Sequence, residues 1–563
     1  MGDARGWVPS SRLVAVLVWV LLVPLSSVAI CPPRCTCRDD TLAATCADAG
    51  LEVVPIQLNP EVEKIDLSGN RITAVAFTLS FYNELRHLDV SRNRIQSLRG
   101  KSFESQSRLL FLNASHNHIT SLGKDAFRGL KSVKVIDLSH NQIETIQDSS
   151  FKDVHEVEVI DLSHNEIIYF EEPAVLKGVR ALKTLYLNHN QMNDVPTGLL
   201  KNLPSPCSLE TLTLHSNLIE LIEDKSFPSS CSNALKILTL GDNVIRDIEA
   251  AAFDSVCKLT TLDLSNNNLT FVPTQQLSKL NQLTRLDLSG NTFSELRPVA
   301  FQSLFNLRVL RLSRLPRMRR VDSRTFVDNM HLETIVMEDN PELTRIPTRV
   351  FHGNPNLINV SLRGNALTTV DVSHFPLDGL KSLDVSENPL RCNCSIQWLW
   401  TLAQMEAKLA KNPSERPAPP YPRLKCASPK HLKGKSVVDL PESAVRCETS
   451  WITVAVVTGL MLALFGATCV GLLLWGGSGR LCRTKQDPGD PAQGDPCRRL
   501  PPGLHPSPPP PILMLMPDKR YSEDYVKNDA DLKYMEPWVG DLRCPQNEYS
   551  PDVTTRKPHI VYV

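Results

Sequence analysis

The sequence has no net charge and lacks the short motifs of the familiar enzyme classes. Its 61 lysines and arginines balance 61 aspartates and glutamates among 563 residues, so charge gives no reason to expect nucleic acid as a partner. The chain contains no G-x-S-x-G, H-E-x-x-H, P-loop or glycine-rich dinucleotide motif, the patterns that mark hydrolases, metalloproteases and nucleotide-binding proteins. We therefore expect neither an enzyme nor a bound metal or cofactor.

The sequence instead repeats one phrase, L-x-x-L-x-L-x-x-N, with a period of 23 to 27 residues. The phrase ends at Asn70, Asn93, Asn117, Asn141, Asn165, Asn190, Asn217, Asn243, Asn267, Asn291, Asn340, Asn365 and Asn388. This spelling and period are typical of a leucine-rich-repeat solenoid. We count fourteen repeats over residues 59–390, the eleventh with Leu315 in place of asparagine. The prediction is an α/β solenoid with a curved parallel sheet on its concave face.

Other residues that keep the repeat spacing are expected to be structural. The buried asparagines should satisfy backbone groups of the turns, and the aspartates of the D-L phrases are interpreted in the same way. Phenylalanines are predicted to form the convex core at Phe77, Phe103, Phe127, Phe151, Phe227, Phe253, Phe301, Phe326 and Phe351. His116, His140, His164 and His189 are expected to be exposed turn residues, with pH-dependent partner binding as the alternative.

Cysteines cluster at both ends of the repeats. Cys31, Cys35, Cys37 and Cys46 precede the first repeat, and Cys392, Cys394, Cys426 and Cys447 follow the last. A solenoid needs caps at both ends, and the phrases CPPRCTC and NPLRCNCSIQWLW resemble the flanking modules of extracellular leucine-rich-repeat proteins. We assign the caps to 30–58 and 391–448. The resemblance implies Cys392–Cys426 and Cys394–Cys447 bonds, whereas spacing alone allows three connectivities.

Three further cysteines lie between the caps. Cys207, Cys231 and Cys257 fall in the convex segments of neighbouring repeats, and an oxidising compartment favours one bridge and one buried free thiol. We favour Cys207–Cys231, with Cys231–Cys257 left open. N-glycosylation sequons occur at Asn113, Asn268, Asn359 and Asn393.

Two long apolar runs predict the topology. Residues 1–29 have the form of a secretory signal, although a short membrane anchor is the alternative. Residues 451–475 contain an uncharged run long enough to cross a bilayer, and the arginines and lysine at 480–485 follow it. The positive-inside bias predicts a type I single-pass protein of the plasma membrane with a cytoplasmic tail over 476–563.

Two patches on the concave face are candidate partner sites. Phe111, Val135 and Val159 take the same outward strand position on consecutive repeats, which is typical of an interface, although a tolerated apolar surface is the alternative. The arginine-rich eleventh repeat, with its neighbour, gathers Arg285, Arg308, Arg311 and Arg314. These arginines favour an acidic or sulfated partner, with a solvated charged edge as the alternative.

The tail is rich in proline and is predicted to be disordered. Its terminus, with Val561 and Val563, resembles a class II ligand of PDZ domains, which add such a peptide to a sheet edge. Tyr534 lies in a sequence that resembles a docking site for SH2 adaptors, and a proline-rich segment near 506 is a candidate SH3 ligand.

The whole layout resembles the leucine-rich-repeat adhesion and recognition proteins of the cell surface, among them the arthropod Capricious and Tartan type. The resemblance implies a receptor that binds an extracellular or cell-surface protein through its concave face and cytoplasmic scaffolds through its tail. Two alternatives stay open: an innate-immune or growth-factor co-receptor that presents a soluble ligand, and an auxiliary subunit of a membrane channel or enzyme.

Overall fold

The computed structural model describes residues 31–75, 77–98, 101–409, 424–447 and 451–477. These described residues fall into two units, one over 31–447 and the other over 451–477. The first unit is the repeat solenoid with its two caps. The predicted signal at 1–29 and all of the predicted tail beyond 477 lie outside the described residues.

One parallel sheet runs the length of the solenoid. Its fourteen repeat strands, which we number as rungs 1 to 14, are Lys64–Asp66, His87–Asp89, Phe111–Asn113, Val135–Asp137, Val159–Asp161, Thr184–Tyr186, Thr211–Thr213, Ile237–Thr239, Thr261–Asp263, Arg285–Asp287, Val309–Arg311, Thr334–Val336, Asn359–Ser361 and Ser382–Asp384. Equivalent residues pair across neighbours, as Ile136 does with Leu112 and Ile160. The middle residue of each strand is buried, which confirms the predicted parallel-sheet solenoid.

A buried asparagine ladder holds each turn after a strand to the rungs beside it. The Asn141 amide nitrogen donates to the carbonyls of Ala114, Leu138 and Ser139 at 3.0 to 3.2 Å, and its oxygen accepts the Ile119 N–H at 3.1 Å. Most asparagines of the series satisfy main-chain groups of their own rung and of the preceding one in this way, which explains why the residue recurs. Asn340 differs, because its oxygen accepts the Leu315 N–H at 2.8 Å while its buried amide nitrogen has no partner among the described residues.

In several repeats a short strand follows the asparagine and lies on one flank of the solenoid. They form three small parallel sheets: Ser97–Leu98 with Ser121–Leu122 and Thr145–Ile146, Leu221–Ile222 with Asp247–Ile248, and Glu295–Leu296 with Arg320–Val321. The remaining connections contain the helices Thr197–Lys201 and Thr274–Leu277 and the 3₁₀ turns Thr78–Phe81, Ser229–Cys231 and Val372–His374.

Stacked phenylalanines form the core on the side away from the main sheet. Successive rings, from Phe103–Phe127 to Phe351–Phe375, have centroids 4.9 to 6.5 Å apart, whereas neighbouring strands of a sheet lie about 4.8 Å apart. Rungs therefore spread on the phenylalanine side, and the main sheet lies on the concave side.

One phenylalanine in the predicted core series is misplaced. Phe77 is 75% exposed, and Leu79 and Tyr82 are buried instead. This repeat is one residue shorter than the next, and the 3₁₀ turn Thr78–Phe81 brings Leu79 inward. The prediction that Phe77 is core is therefore wrong.

Disulfides tie both caps. The pairs are Cys31–Cys37 and Cys35–Cys46 at the N-terminal end, and Cys392–Cys426 and Cys394–Cys447 at the C-terminal end, the latter two as the resemblance implies. The N-terminal cap contributes Thr36–Arg38, which pairs antiparallel with Ala43–Thr45, and the latter strand continues the main sheet to rung 1.

The C-terminal cap is built around the helix Gln397–Leu409. Its other elements are the strands Leu390–Arg391 and Cys426–Ser428, the helix Glu442–Val445 and the 3₁₀ turns Cys394–Ile396 and Val437–Asp439. Trp398 Nε1 donates to the Val370 carbonyl at 3.2 Å, so the cap helix is fixed to the repeats that it covers.

One disulfide joins two of the three inner cysteines. Cys207 and Cys231 form a disulfide with Cα atoms 4.9 Å apart, which is the favoured pairing. Cys257 is also disulfide-bonded, so the expectation of a free thiol among the three is wrong.

The second unit has one described element, the helix Trp451–Gly477. Among the residues that the structure describes, no helix meets both the length and the hydropathy that a membrane crossing requires.

Candidate functional site

The centre of the concave face carries an uncharged column. The first residue of each strand from rung 3 to rung 9 projects from the sheet, and none of the seven is charged: Phe111, Val135, Val159, Thr184, Thr211, Ile237 and Thr261. Register pairs Phe111 with Val135 and Val135 with Val159, so the structure brings the three predicted patch residues together. All three are half-buried, while Ile237 is 37% exposed.

Only the first three members of this column were predicted from the sequence. Its other members are threonines and one isoleucine, which look unremarkable within their own repeats. Their alignment is visible only when the first strand position is read down consecutive rungs. The uncharged column is therefore longer than the predicted patch.

Beside the uncharged column, the third strand position holds acidic side chains that are tied to the turns. Asp137 Oδ1 accepts the Ser139 N–H at 2.9 Å and its hydroxyl at 2.7 Å, and Asp161 does the same with Ser163. Burial, together with the neighbouring Asp137, raises the pKa of Asp161 above its ordinary value. These aspartates organise the strand ends, as their structural interpretation predicts.

The turn position directly before the repeat asparagine carries a stack of imidazoles. The rings of His116, His140, His164 and His189 are nearly parallel, with centroids 4.0 to 4.1 Å apart, and His215 meets His189 edge-on at 5.0 Å. We call these five residues the histidine ladder. The four stacked residues have φ near +50°, and each donates its N–H to the next rung at 2.9 to 3.0 Å. Fixed turns therefore align the rings.

The ladder has a different electrostatic neighbourhood at each end. Burial is the main cause of the lowered pKa of His116, followed by His140 and by Arg92, which precedes the ladder, while Asp137 raises this pKa by less. At the other end, Asp242 and Asp263 face His215. In the part of the chain that the structure describes, no group of three or more histidine, cysteine or acidic side chains is arranged to hold a metal ion.

The ladder predicts that the fold loses stability in acid. Partial burial, then the neighbouring histidines, lower the pKa of His164 to about 4, and burial is also the main cause of the lowered pKa values of His116 and His215. An unfolded histidine titrates near pH ~6.5, so the unfolded chain gains protons that the fold excludes. The stability that these histidines contribute by staying neutral in the fold is therefore fully present above that pH. It declines as the pH falls toward 4.

A melting series between pH 7.5 and 4.5 tests this prediction. For His164 alone the pKa change corresponds to at most roughly 3 kcal/mol, and solvent screening at a partly exposed ring reduces this to about 1 kcal/mol. The His164→Asn variant should lose less stability in acid than the wild type, while exposed His118→Asn should behave as the wild type does. Identical acid dependence in all three chains contradicts the prediction.

Ion pairs connect the rungs just before the strands. Lys183 and Lys134 reach the Glu158 carboxylate at 2.7 and 3.6 Å, and Lys236 reaches Glu210 at 2.9 Å. Exposed pairs of this kind contribute little stability. In these pairs the positive lysines beside the uncharged column are largely neutralised by the negative glutamates.

The same pairing reduces the charge of the predicted arginine patch. Arg308 forms an ion pair with Glu333 on the next rung, and Arg311 lies 3.8 Å from the Asp287 carboxylate on the previous one. These partners were not predicted from the sequence because they lie about one repeat away along the chain. Two of the four predicted arginines are thus partly neutralised.

The other two arginines are exposed on the same part of the solenoid. Arg314 donates to the Asn266 side-chain oxygen at 3.2 Å, and Arg285 has no ion pair within the described residues. Leu315 is buried in the asparagine position. This region therefore keeps an exposed positive charge at the end of the uncharged column.

Two of the predicted glycosylation sites lie on the main sheet. The Asn113 amide nitrogen donates to Asp89 at 3.0 Å, and its oxygen accepts from Ser115. Asn359 is exposed and donates to Thr334 at 3.2 Å. Asn113 is half-buried beside Phe111, so a glycan there would narrow access to one end of the uncharged column.

The other predicted sites lie away from that column. Asn268 is exposed after the turn of rung 9. Asn393 is in the C-terminal cap, where its side-chain oxygen accepts the Ser395 N–H at 3.1 Å. The tail sites Tyr534, Val561 and Val563 lie outside the described residues.

Comparison with known proteins agrees with this architecture. Residues 60–119, 112–167, 207–269, 257–314 and 330–390 match the family described as leucine rich repeat. Mouse Toll-like receptor 9 is 30% identical over 182 residues, which are 32% of this chain and 17% of the receptor. Human chondroadherin is 32% identical over 111 residues, 19% of this chain and 26% of chondroadherin. The chain thus spans about a quarter or less of the length of these relatives.

A solved structure shares the fold over most of the chain. The Toll–Spatzle complex of Drosophila development and innate immunity aligns with a TM-score of 0.50 and 21% identity, covering 70% of this chain and 63% of the other. Repeated strands, the asparagine ladder, the disulfide caps and the family match all give one assignment. Over residues 60–167, 207–314 and 330–390 the chain is built of leucine-rich repeats, and disulfide-bonded modules cap both ends of the array.

Proposed function

We propose that this protein is a cell-surface adhesion or recognition receptor whose concave face binds an extracellular or cell-surface protein. The observation that carries the proposal is the uncharged column from Phe111 to Thr261, which is continuous over seven rungs. Binding interfaces place apolar and uncharged side chains at their centre and charged ones at the rim. The paired lysines and glutamates beside the column provide such a rim.

The arginines at the far end of the column add a second, charged contact. Arg285 and Arg314 are exposed, so a partner with an acidic or sulfated segment at that position gains charge-assisted hydrogen bonds. The proposal is binding without catalysis, and it includes no metal or cofactor.

Sequence features support the proposed topology. The signal-like segment at 1–29 and the uncharged run at 452–474, with basic residues after it, favour a type I single-pass protein of the plasma membrane. In that arrangement the tail contacts PDZ, SH2 or SH3 proteins through Val561, Val563, Tyr534 and its proline-rich segment. The layout remains similar to that of the Capricious and Tartan type.

The likeness to Toll-like receptor 9 over 182 residues favours a second candidate, an innate-immune or growth-factor co-receptor that presents a soluble ligand. Only three residues separate Cys447 from Trp451, which also leaves an auxiliary subunit of a membrane protein as an alternative. Cell aggregation by the expressed chain supports adhesion. A soluble ligand captured without aggregation supports the co-receptor.

Proximity labelling identifies the partner before its contact is mapped. A peroxidase fused after residue 30 should label an extracellular or cell-surface protein on intact cells. The affinity of that partner is then measured for the variant Phe111→Ser, Val135→Thr and Val159→Thr. Threonine already occupies this strand position at 184, 211 and 261, so the variant should fold.

We expect the triple variant to bind the partner at least about tenfold more weakly, because central contacts dominate interface energies. The matched control is Val327→Thr, which makes the same change at an exposed valine that is not on a strand of the main sheet, and it should leave affinity unchanged. A correctly folded triple variant with wild-type affinity contradicts the proposal.

A further inference from the structure

The small sheets on the flank of the solenoid are interrupted at rungs 5 and 6. Strand Thr145–Ile146 ends one small sheet and Leu221–Ile222 begins the next, so neither 169–170 nor 194–195 forms a strand. Proline follows closely in both segments, at Pro173 and Pro196. Pro196 has no N–H, so rung 6 lacks the bond that Gln147, at the equivalent position, donates to the Leu122 carbonyl at 2.9 Å.

A cleft opens where the strands are missing. It has a volume of about 420 Å³ and is lined by Ile168, Tyr169, Phe170, Met192, Val195 and Leu199 together with two carboxylates. This volume is in the range of ligand-binding clefts. Met192 and Leu199 are 1% exposed at its base, whereas Ile168 and Tyr169 at its rim are 46% and 62% exposed.

The main chain beside the cleft has unused hydrogen-bonding groups. On rung 5 the N–H groups of residues 168–170 have no acceptor within the described part of the chain, and the same is true of 193–195 on rung 6. On the intact rung 4 the N–H of Glu144, which is equivalent to residues 168 and 193, donates to the Thr120 carbonyl at 3.0 Å. An extended peptide satisfies such groups by lying along them.

The rim of the cleft is acidic. Segments 166–173, 191–200 and 217–224 contain three, one and three carboxylates, seven in total, and no lysine, arginine or histidine. Asp194 and Glu223 line the cleft itself, and both are exposed. Neither forms an ion pair with any described residue. A partner with basic side chains around an apolar one therefore complements this surface.

We propose that the cleft at rungs 5 and 6 binds an extended segment of a protein partner with one large apolar side chain flanked by lysine or arginine. The apolar side chain enters between Tyr169 and Leu199, and the basic residues face Asp194 and Glu223. Peptide carbonyls accept the unused N–H groups. This site is on the flank of the solenoid, so it does not rest on the concave-face proposal.

The test uses the full chain in nanodiscs and a fluorescent peptide, acetyl-Lys-Val-Lys-Phe-Lys-Val-Lys-amide. We expect saturable binding that weakens with added salt, because the charge contacts are exposed. Two variants should each weaken binding at least about tenfold. One is the single variant Tyr169→Ser, and the other is the double variant that combines Asp194→Lys and Glu223→Lys. Serine holds the equivalent position at 97 and 121, so Tyr169→Ser should fold.

Phe271→Ser is the matched control. Phe271 occupies the same position on rung 9, is 51% exposed and lies two residues before Pro273, as Asp194 lies before Pro196, but residues 266–276 contain no acidic side chain. This variant should bind the peptide as the wild type does. Three results overturn the proposal: no saturable binding, equal binding of a peptide with glutamate in place of lysine, or equal weakening by Phe271→Ser.

Discussion

Replacing Cys392 and Cys426 together by serine should destabilise the C-terminal cap by roughly 2–5 kcal/mol, the usual cost of losing a disulfide from a small secreted module. The bond closes a separation of 34 residues, and both cysteines are 2% exposed. The cap covers the apolar end of the solenoid with Leu390, Ile396 and Leu399, all fully buried. Opening it exposes the core of rung 14, which a solenoid does not tolerate.

Surface expression and resistance to limited proteolysis measure this effect. The double variant should be retained in the secretory pathway and be cleaved in the cap at lower protease concentration than the wild type. Cys469→Ser is the control, since Cys469 is exposed and not in a disulfide, and it should change neither measurement. A double variant as stable and as well expressed as the wild type would show that the cap is dispensable.

Asn141→Ala should lower the free energy of unfolding by about 2–4 kcal/mol, because it leaves buried main-chain groups on two rungs without partners. The side chain is 8% exposed and makes four hydrogen bonds, three as donor and one as acceptor. The alanine side chain offers no donor or acceptor to replace these hydrogen bonds.

Chemical denaturation and hydrogen exchange around residues 114–141 give the measurement. Gln142→Ala is the control because Gln142 is the exposed neighbour of Asn141, and a surface change of this kind is usually within about 0.5 kcal/mol. Equal stabilities of the two variants would mean that the ladder contributes little. Faster exchange of the Ile119 N–H in Asn141→Ala alone would assign the loss to the missing acceptor.

The solenoid could be predicted from the sequence because one phrase encodes strand, turn and core at a constant period. Fourteen strands are where the phrase places them, and Ile136 lies between Leu112 and Ile160 as the repeat requires. The concave patch followed from the same register. Phe77 shows where this reasoning fails, since a repeat one residue shorter changes which side chain is buried.

Features that depend on contacts between rungs were harder to predict from the sequence. The four stacked histidines were recognised as a series, but their ring contact at 4.0 to 4.1 Å depends on turns of fixed conformation. His215 was missed because it lies one position earlier in its repeat. The pairing of Arg308 with Glu333 and the interrupted flank at Tyr169 likewise join residues about a repeat apart.

Carbene footprinting of the full chain, with and without the partner identified by proximity labelling, tests the central claim most directly. The method labels exposed side chains and reports which ones a ligand covers. If the concave face is the binding surface, the partner should protect Val135, Val159 and Ile237 while exposed Val327 and Met330 stay labelled. Protection of Val327 and Met330, with unchanged labelling of the uncharged column, would contradict the account.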